Sequence, residues 1–145
     1  MKLLTAVSEA WGWTGIRPRE IVAQNSFGNL LIKDERGMYW RICPEDLLCS
    51  LIADTAPQFA PLREDPEFQA DWEMTRLTAE ARAILGEPGE GRCFCLKVPA
   101  VLGGDYEIAN IGQISLIELI GFSGDVAQQI DDLPDGTPVE FKIID

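Results

Sequence analysis

Apolar positions change period several times along the chain, and each change predicts an element. Leu3, Leu4, Val7 and Trp11 recur at helical spacing, and Gly12 and Gly15 close the run, which predicts a short helix over 3–13. Two strand-like runs follow, Phe27 to Lys33 and Met38 to Ile42, with Asp34-Glu35-Arg36-Gly37 between them. A short polar connection ending in glycine between two such runs predicts an antiparallel hairpin of 28–33 with 38–42. The aromatic and β-branched content of both runs suits a pleated surface packed on one side.

Pro44-Glu45-Asp46 then predicts a helix start, with proline early and acids at the positive end of the dipole; Leu47, Leu48, Leu51 and Ile52 form its stripe. Pro57 and Pro61 predict a loop. Asp65-Pro66-Glu67 opens a second helical region, in which Phe68, Trp72, Leu77, Ala81, Ile84 and Leu85 recur unevenly enough to allow a break before Gly86 ends it. Residues 87–91 form a turn cluster. Its Gly-x-Gly has no strand before it and no helix after it, and its glutamates would repel a phosphate, which argues against a phosphate loop. Cys93 to Val98 predicts a third strand, Pro99 to Gly104 a turn, and Tyr106 to Ile111 a further extended piece.

Leu116, Leu119, Ile120, Val126 and Ile130 fit a long amphipathic helix that Gly121 and Gly124 could divide. Leu133-Pro134-Asp135-Gly136 reads as a turn, and Val139 to Ile143 alternates as a closing strand. Helices and strands mix irregularly around one explicit hairpin. The expected class is α+β, with a mainly antiparallel sheet, an N-terminal hairpin and three to four packing helices, as a single domain over 1–145.

Charge narrows the functions open to such a domain. The net charge is −12, and it is uneven: residues 1–42 hold six bases and four acids, residues 43–145 six bases and twenty acids. Binding to a nucleic-acid backbone runs on Lys and Arg displacing counterions, so direct nucleic-acid binding is not expected. The acidic excess either solvates the surface or attracts a basic partner, and charge alone does not choose. The chain contains no histidine, which removes Ser-His-Asp triads, Cys-His dyads and histidine metal ligands.

Cys43 and Cys49 are spaced C-x5-C, and Cys93 and Cys95 C-x-C, neither a usual structural zinc spacing. The alternation around Phe94 points both of the latter sulfurs to one face. The expected state is four free thiols acting as small apolar groups, with no metal and no cofactor. No export signal is visible, because Glu9 interrupts the first apolar stretch, and no run is long enough to span a bilayer. A cytoplasmic location with reduced thiols is expected.

Carboxylates remain as candidate chemistry, but twenty-four acids in so short a chain make close pairs nearly inevitable. No EF-hand spacing occurs, and no nucleophile has a recognisable activating partner. Asp105-Tyr106-Glu107, after Gly103-Gly104, is the most active-site-like cluster, and its expected reading is a solvated turn leading into a strand. No catalytic residue is assigned, and the chain is not expected to be an enzyme.

The last third carries a motif series: Gly89-Glu90-Gly91-Arg92-Cys93-Phe94, Lys97-Val98-Pro99, Leu102-Gly103-Gly104-Asp105-Tyr106, Asn110, Gly124-Asp125, Gln129-Ile130 and Asp132-Leu133-Pro134-Asp135-Gly136. This series resembles the C-terminal domain of the type VI secretion DNase-immunity proteins, closely over 89–137. Asn25-x-Phe27-Gly28-Asn29, Tyr39-Trp40-Arg41-Ile42 and Asp71-Trp72-x-Met74 extend it more loosely. The resemblance implies a bacterial cytoplasmic protein that binds and neutralises a cognate protein toxin, a DNase in the best-known branch. Better-known members carry a further N-terminal domain, which is not expected here because only about 20 residues precede the shared region.

A nuclease presents a basic surface to DNA, and an acidic inhibitor gains association rate against such a surface. Two exposed acidic loops are therefore the expected partner-binding residues: Asp105, Tyr106 and Glu107 in one, Asp131, Asp132 and Asp135 in the other. The alternatives are a small-molecule or regulatory binding domain using a pocket near Gly103-Gly104 and, behind it, a carboxylate-dependent hydrolase.

Overall fold

The computed structural model of the chain describes residues 2–134. The strand expected at 139–143, and the Asp135-Gly136 half of the turn before it, lie outside the described residues. Helix α1 (Lys2–Trp11) ends in a single 3₁₀ turn closed by Gly15 at φ 98°. Four strands follow, β1 (Pro18–Gln24), β2 (Leu30–Asp34), β3 (Tyr39–Cys43) and β4 (Leu48–Ala53), in one antiparallel sheet of order β1-β2-β3-β4.

The hairpin expected from the sequence is β2–β3, and Asp34 closes it. Its Oδ1 accepts the Arg36 and Met38 N–H groups at 2.8 and 2.9 Å, and its Oδ2 accepts Trp40 Nε1–H at 2.9 Å. Strand β1 was not expected, since Arg19-Glu20 and Val22-Ala23 break any simple alternation; pairing with β2 makes it a strand, with two register shifts.

The segment 44–52 corrects the sequence reading. Pro44-Glu45-Asp46 does begin a turn of 3₁₀ helix, but Leu47 enters the left-handed region at φ 50° and ends it. Residues 48–53 then pair along β3. A helix of nine residues is marginal on its own, and a ready-made ladder beside it wins. The 57–61 segment is also corrected: it lies in helix α2 (Ala56–Glu64), where Thr55 Oγ1 caps Gln58 N–H at 3.3 Å and Pro57 occupies the tolerant first turn. Pro61 weakens the ladder, and Phe59, stacked on Tyr39 with centroids 3.9 Å apart, anchors the helix.

Helices α3 (Pro66–Glu73) and α4 (Thr75–Leu85) divide the second helical region at Met74, which takes φ 46°. Strands β5 (Arg92–Leu96) and β6 (Ile111–Ser115) form a separate two-stranded ladder. The extended piece expected at 106–111 is instead mostly loop and a 3₁₀ turn at Ile108–Asn110, leading into β6. Helix α5 (Leu116–Ile130) is continuous through Gly121 and Gly124. Gly124 is where α5 meets α1: a Cβ there would lie 2.4 Å from the Ala10 carbonyl oxygen.

The sheet separates two environments. Leu30, Ile32 and Ile42 point to one face and pack with Val7, Trp11, Leu119 and Ile120 of α1 and α5. Leu31, Tyr39 and Ala53 point to the other and meet Phe59 of α2, with Phe68 and Trp72 of α3 beside them. On the small ladder, Cys93 and Cys95 share a face toward the first cluster, as their alternation implied, while Phe94 and Leu96 pack toward Ala81 of α4. The expected α+β class with a mainly antiparallel sheet holds. Among the described residues no helix is long and apolar enough to cross a membrane.

Candidate functional site

A linked set of buried and half-buried polar side chains lies on the second face of the sheet, at the end nearest the β1–β2 connection. That connection is a tight turn in which Asn25 Oδ1 accepts the Phe27 and Asn29 N–H groups at 3.0 and 2.9 Å. Gly28 is required there, at φ 72° with a Cβ that would sit 2.7 Å from Leu119 Cδ2. The turn delivers Asn29, fully buried, to the centre of a polar chain.

Asn29 Nδ2 donates to both Glu45 oxygens at 2.8 and 2.9 Å, and its Oδ1 accepts from Arg41 Nε and Nη2 at 3.2 and 2.9 Å. Arg41 Nη1 reaches Asp71 Oδ2 on α3 at 2.5 Å, and the guanidinium lies over the Trp72 and Phe68 rings, 5.2 and 5.9 Å from their centroids. At the other end, Cys43 Sγ lies 2.8 Å from Glu45 Oε1 and 3.3 Å from Asp46 Oδ2, and its one S–H donates to the nearer oxygen. Asn25 Nδ2 ties the same turn to the Trp72 carbonyl at 2.9 Å.

Burial shapes the electrostatics. Glu45 is 4% exposed, and desolvation raises its carboxyl above the ordinary value despite the donations from Cys43 and Asn29. Desolvation, reinforced by the Glu45 and Asp46 charges, drives the Cys43 thiol far up, so it stays a protonated donor. Cys43, Glu45 and Asp46 bring one sulfur and two carboxylate oxygens within 4.8 Å of one another. Three such ligands are one short of a tetrahedral set, and the protonated thiol already donates to the Glu45 carboxylate.

Above this chain lies an open cavity of about 420 Å³, walled by β3 and β4, by α2 and α3, and by Tyr106. Tyr106 is 44% exposed, and its hydroxyl is pushed up to about 12 by desolvation and by the Asp46 and Glu45 carboxylates. The loop that carries it is built by residues of the motif series. Gly104 passes so close to the Val98 carbonyl that any Cβ would collide with it. Asn110 accepts Val98 N–H at 3.0 Å and donates to the Val98 and Asp105 carbonyls at 3.0 and 2.8 Å. Asp105 Oδ1 accepts Glu107 N–H at 3.1 Å, leaving both acids exposed beside the tyrosine.

Of the residues expected to bind a partner, Tyr106 is on the groove, and Asp105 and Glu107 share its loop. Asp131 and Asp132 are exposed just past the end of α5 and do not line the groove, and Asp135 lies outside the described residues. Sequence reasoning did not single out Asn29, Arg41, Cys43, Glu45, Asp46 or Asp71 as site residues. A signal was present: the three looser stretches of the family resemblance contain Asn25 and Asn29, Arg41, and Asp71 with Trp72, and the fold brings all of them to one place.

The fold and the groove together define an α+β chain with an acidic groove on one face of its sheet. The profile of the family described as T6SS immunity protein Tdi1, C-terminal, matches residues 53–127, from the end of β4 into α5 and across the whole Tyr106 loop. The chain belongs to that family. No curated protein matches it. Among solved structures, the crystal structure of Atu4351 from Agrobacterium tumefaciens superposes with a TM-score of 0.54 at 13% identity, over 86% of this chain and 63% of that one. That likeness bears on the fold, and the chain spans less than two thirds of the solved chain's length.

Proposed function

We propose that this protein binds and neutralises a cognate toxin, a nuclease met in the cytoplasm, by covering a basic surface and without catalysis of its own. Family membership over 53–127 carries the reading. The net charge of −12 and the exposed acids of the 103–107 loop supply the complementary potential.

The experiment is the association rate with the toxin encoded beside the gene, at low salt and at roughly 0.5 M, where the screening length falls to a few Å. Reversing Asp105 and Glu107 to lysine, with Asp131 and Asp132 as a second pair, should slow association and flatten its salt dependence. Stability should change by only about 0–1 kcal/mol per site, because these charges are exposed. An unchanged rate ends the steering mechanism, and no binding to the toxin ends the immunity reading. The cavity's size favours a second reading, a small-molecule binding domain, which a ligand copurifying with the protein would carry.

A further inference from the structure

The two edges of the four-stranded sheet differ in how they are defended. Strand β1 opens with Pro18-Arg19-Glu20 and carries two register shifts, devices that discourage edge pairing. Strand β4 reads Leu48-Cys49-Ser50-Leu51-Ile52-Ala53, with neither charge nor proline, and exposes Leu48 and Leu51 at 50% and 43%. Among the described residues it pairs with β3 alone, and no other hydrogen bond reaches its backbone.

The register fixes which groups are left over. Asp34 N–H donates to the Met38 carbonyl at 2.8 Å, so the 34–38 pair is hydrogen-bonded, and by alternation so are Ile32 with Trp40 and Leu30 with Ile42. Trp40 and Ile42 thus turn their peptide groups to β2, and Arg41 and Cys43 turn theirs to β4, opposite Ser50 and Leu48. The peptide N–H and C=O of Cys49 and Leu51 therefore point away from β3. The side chains of Leu48, Ser50 and Ile52 wall the acidic groove.

We propose that β4 accepts an extended, basic segment of the toxin as a fifth strand, paired to the Cys49 and Leu51 peptide groups, with a lysine or arginine side chain entering the groove beside Asp46, Asp71 and Tyr106. The inference rests on the immunity reading and specifies its contact. Backbone pairing selects an extended segment of any sequence. The groove selects a cation, since Glu45, Asp46 and Asp71 line it against one base, Arg41, already held by Asn29 and Asp71.

The test is amide exchange and affinity on the full chain with the toxin encoded beside it. The Cys49 and Leu51 amides should exchange quickly in the free protein and slowly in the complex. Leu51→Pro deletes an outward N–H without touching the ladder to β3, as edge strands tolerate. It should weaken binding about 10–100-fold, a lost donor facing a buried carbonyl. Leu51→Lys, an edge-protecting charge at an exposed position, should weaken it too and guards against misfolding of the proline variant. Toxin binding with both amides still exchanging and both variants at full affinity overturns the edge contact while leaving the immunity reading intact. No toxin binding to the wild-type chain overturns both. Slow exchange in the free monomer assigns the edge to the strand expected at 139–143, and a dimer that Leu51→Lys dissociates assigns it to a second copy; either result overturns the proposal.

Discussion

One residue along each strand separates two different kinds of interior. On the face of the sheet toward α1 and α5, Leu30, Ile32 and Ile42 meet Trp11, Leu119 and Ile120, all at or near zero exposure. On the opposite face Asn29, Arg41 and Cys43 stand beside Leu31 and Tyr39, and a chain of hydrogen bonds runs from Asp71 to Cys43 under an open cavity. The first face is held by area and shape. The second is held by mutual satisfaction of groups that would be costly to bury alone. A fold of this size can thus keep a rigid apolar layer and still offer a preorganised polar surface, because the sheet insulates one from the other.

Truncation of the apolar face should have the largest effect. Ile120→Ala removes a fully buried side chain against α1 and should cost about 2–5 kcal/mol in urea unfolding. Asn29→Ala strikes the polar face and leaves the Glu45 carboxylate and Arg41 without their shared partner. It should cost about 1–3 kcal/mol, and it should impair toxin binding, which Ile120→Ala should leave intact in the folded fraction. Equal binding by both variants would erase the division of labour between the faces.

The smallest effect is in pH dependence, where two buried carboxyls act with opposite signs. Desolvation works against Asp34, but donations from Trp40, Met38 and Arg36 outweigh it and hold its carboxyl below 3.8. Its contribution is complete above 3.8 and is lost as pH falls through the lowered folded value. Glu45 is raised above 4.5, so its contribution is complete below 4.5 and is lost as pH rises through the raised folded value. Unfolding midpoints from below 3.8 to above 4.5 should therefore show Asp34→Asn abolishing an acid-side loss of stability and Glu45→Gln abolishing an opposite drift. Two variants with the same pH slope as the wild type would show that neither the hydrogen bonds of Asp34 nor the burial of Glu45 shifts its carboxyl.

Local pattern made much of the fold legible. The β2–β3 hairpin, the span of α5, the division of α3 from α4 and the shared face of Cys93 and Cys95 are all signalled within a few residues of where they occur. Segment 44–52 shows the limit. Its proline and acids do start a helical turn, yet Leu47 reverses it and the next residues join a sheet whose other strands lie earlier in the chain. The site divides the same way: the Gly103-Gly104-Asp105-Tyr106 loop was visible as a motif, whereas the groove it overhangs was not.

From the sequence alone came the α+β class, the acidic excess, the absence of histidine chemistry, and a motif series whose glycines and Asn110 turn out to build the Tyr106 loop. These rest on composition and on contacts a few residues long. Tertiary structure decided that 48–53 would be an edge strand and that Asn29, Arg41, Glu45 and Asp71 would share one network. Both depend on partners distant in sequence: a strand needs a neighbour's peptide groups, and a buried carboxylate or guanidinium needs a donor or acceptor that only the folded chain brings within 3 Å.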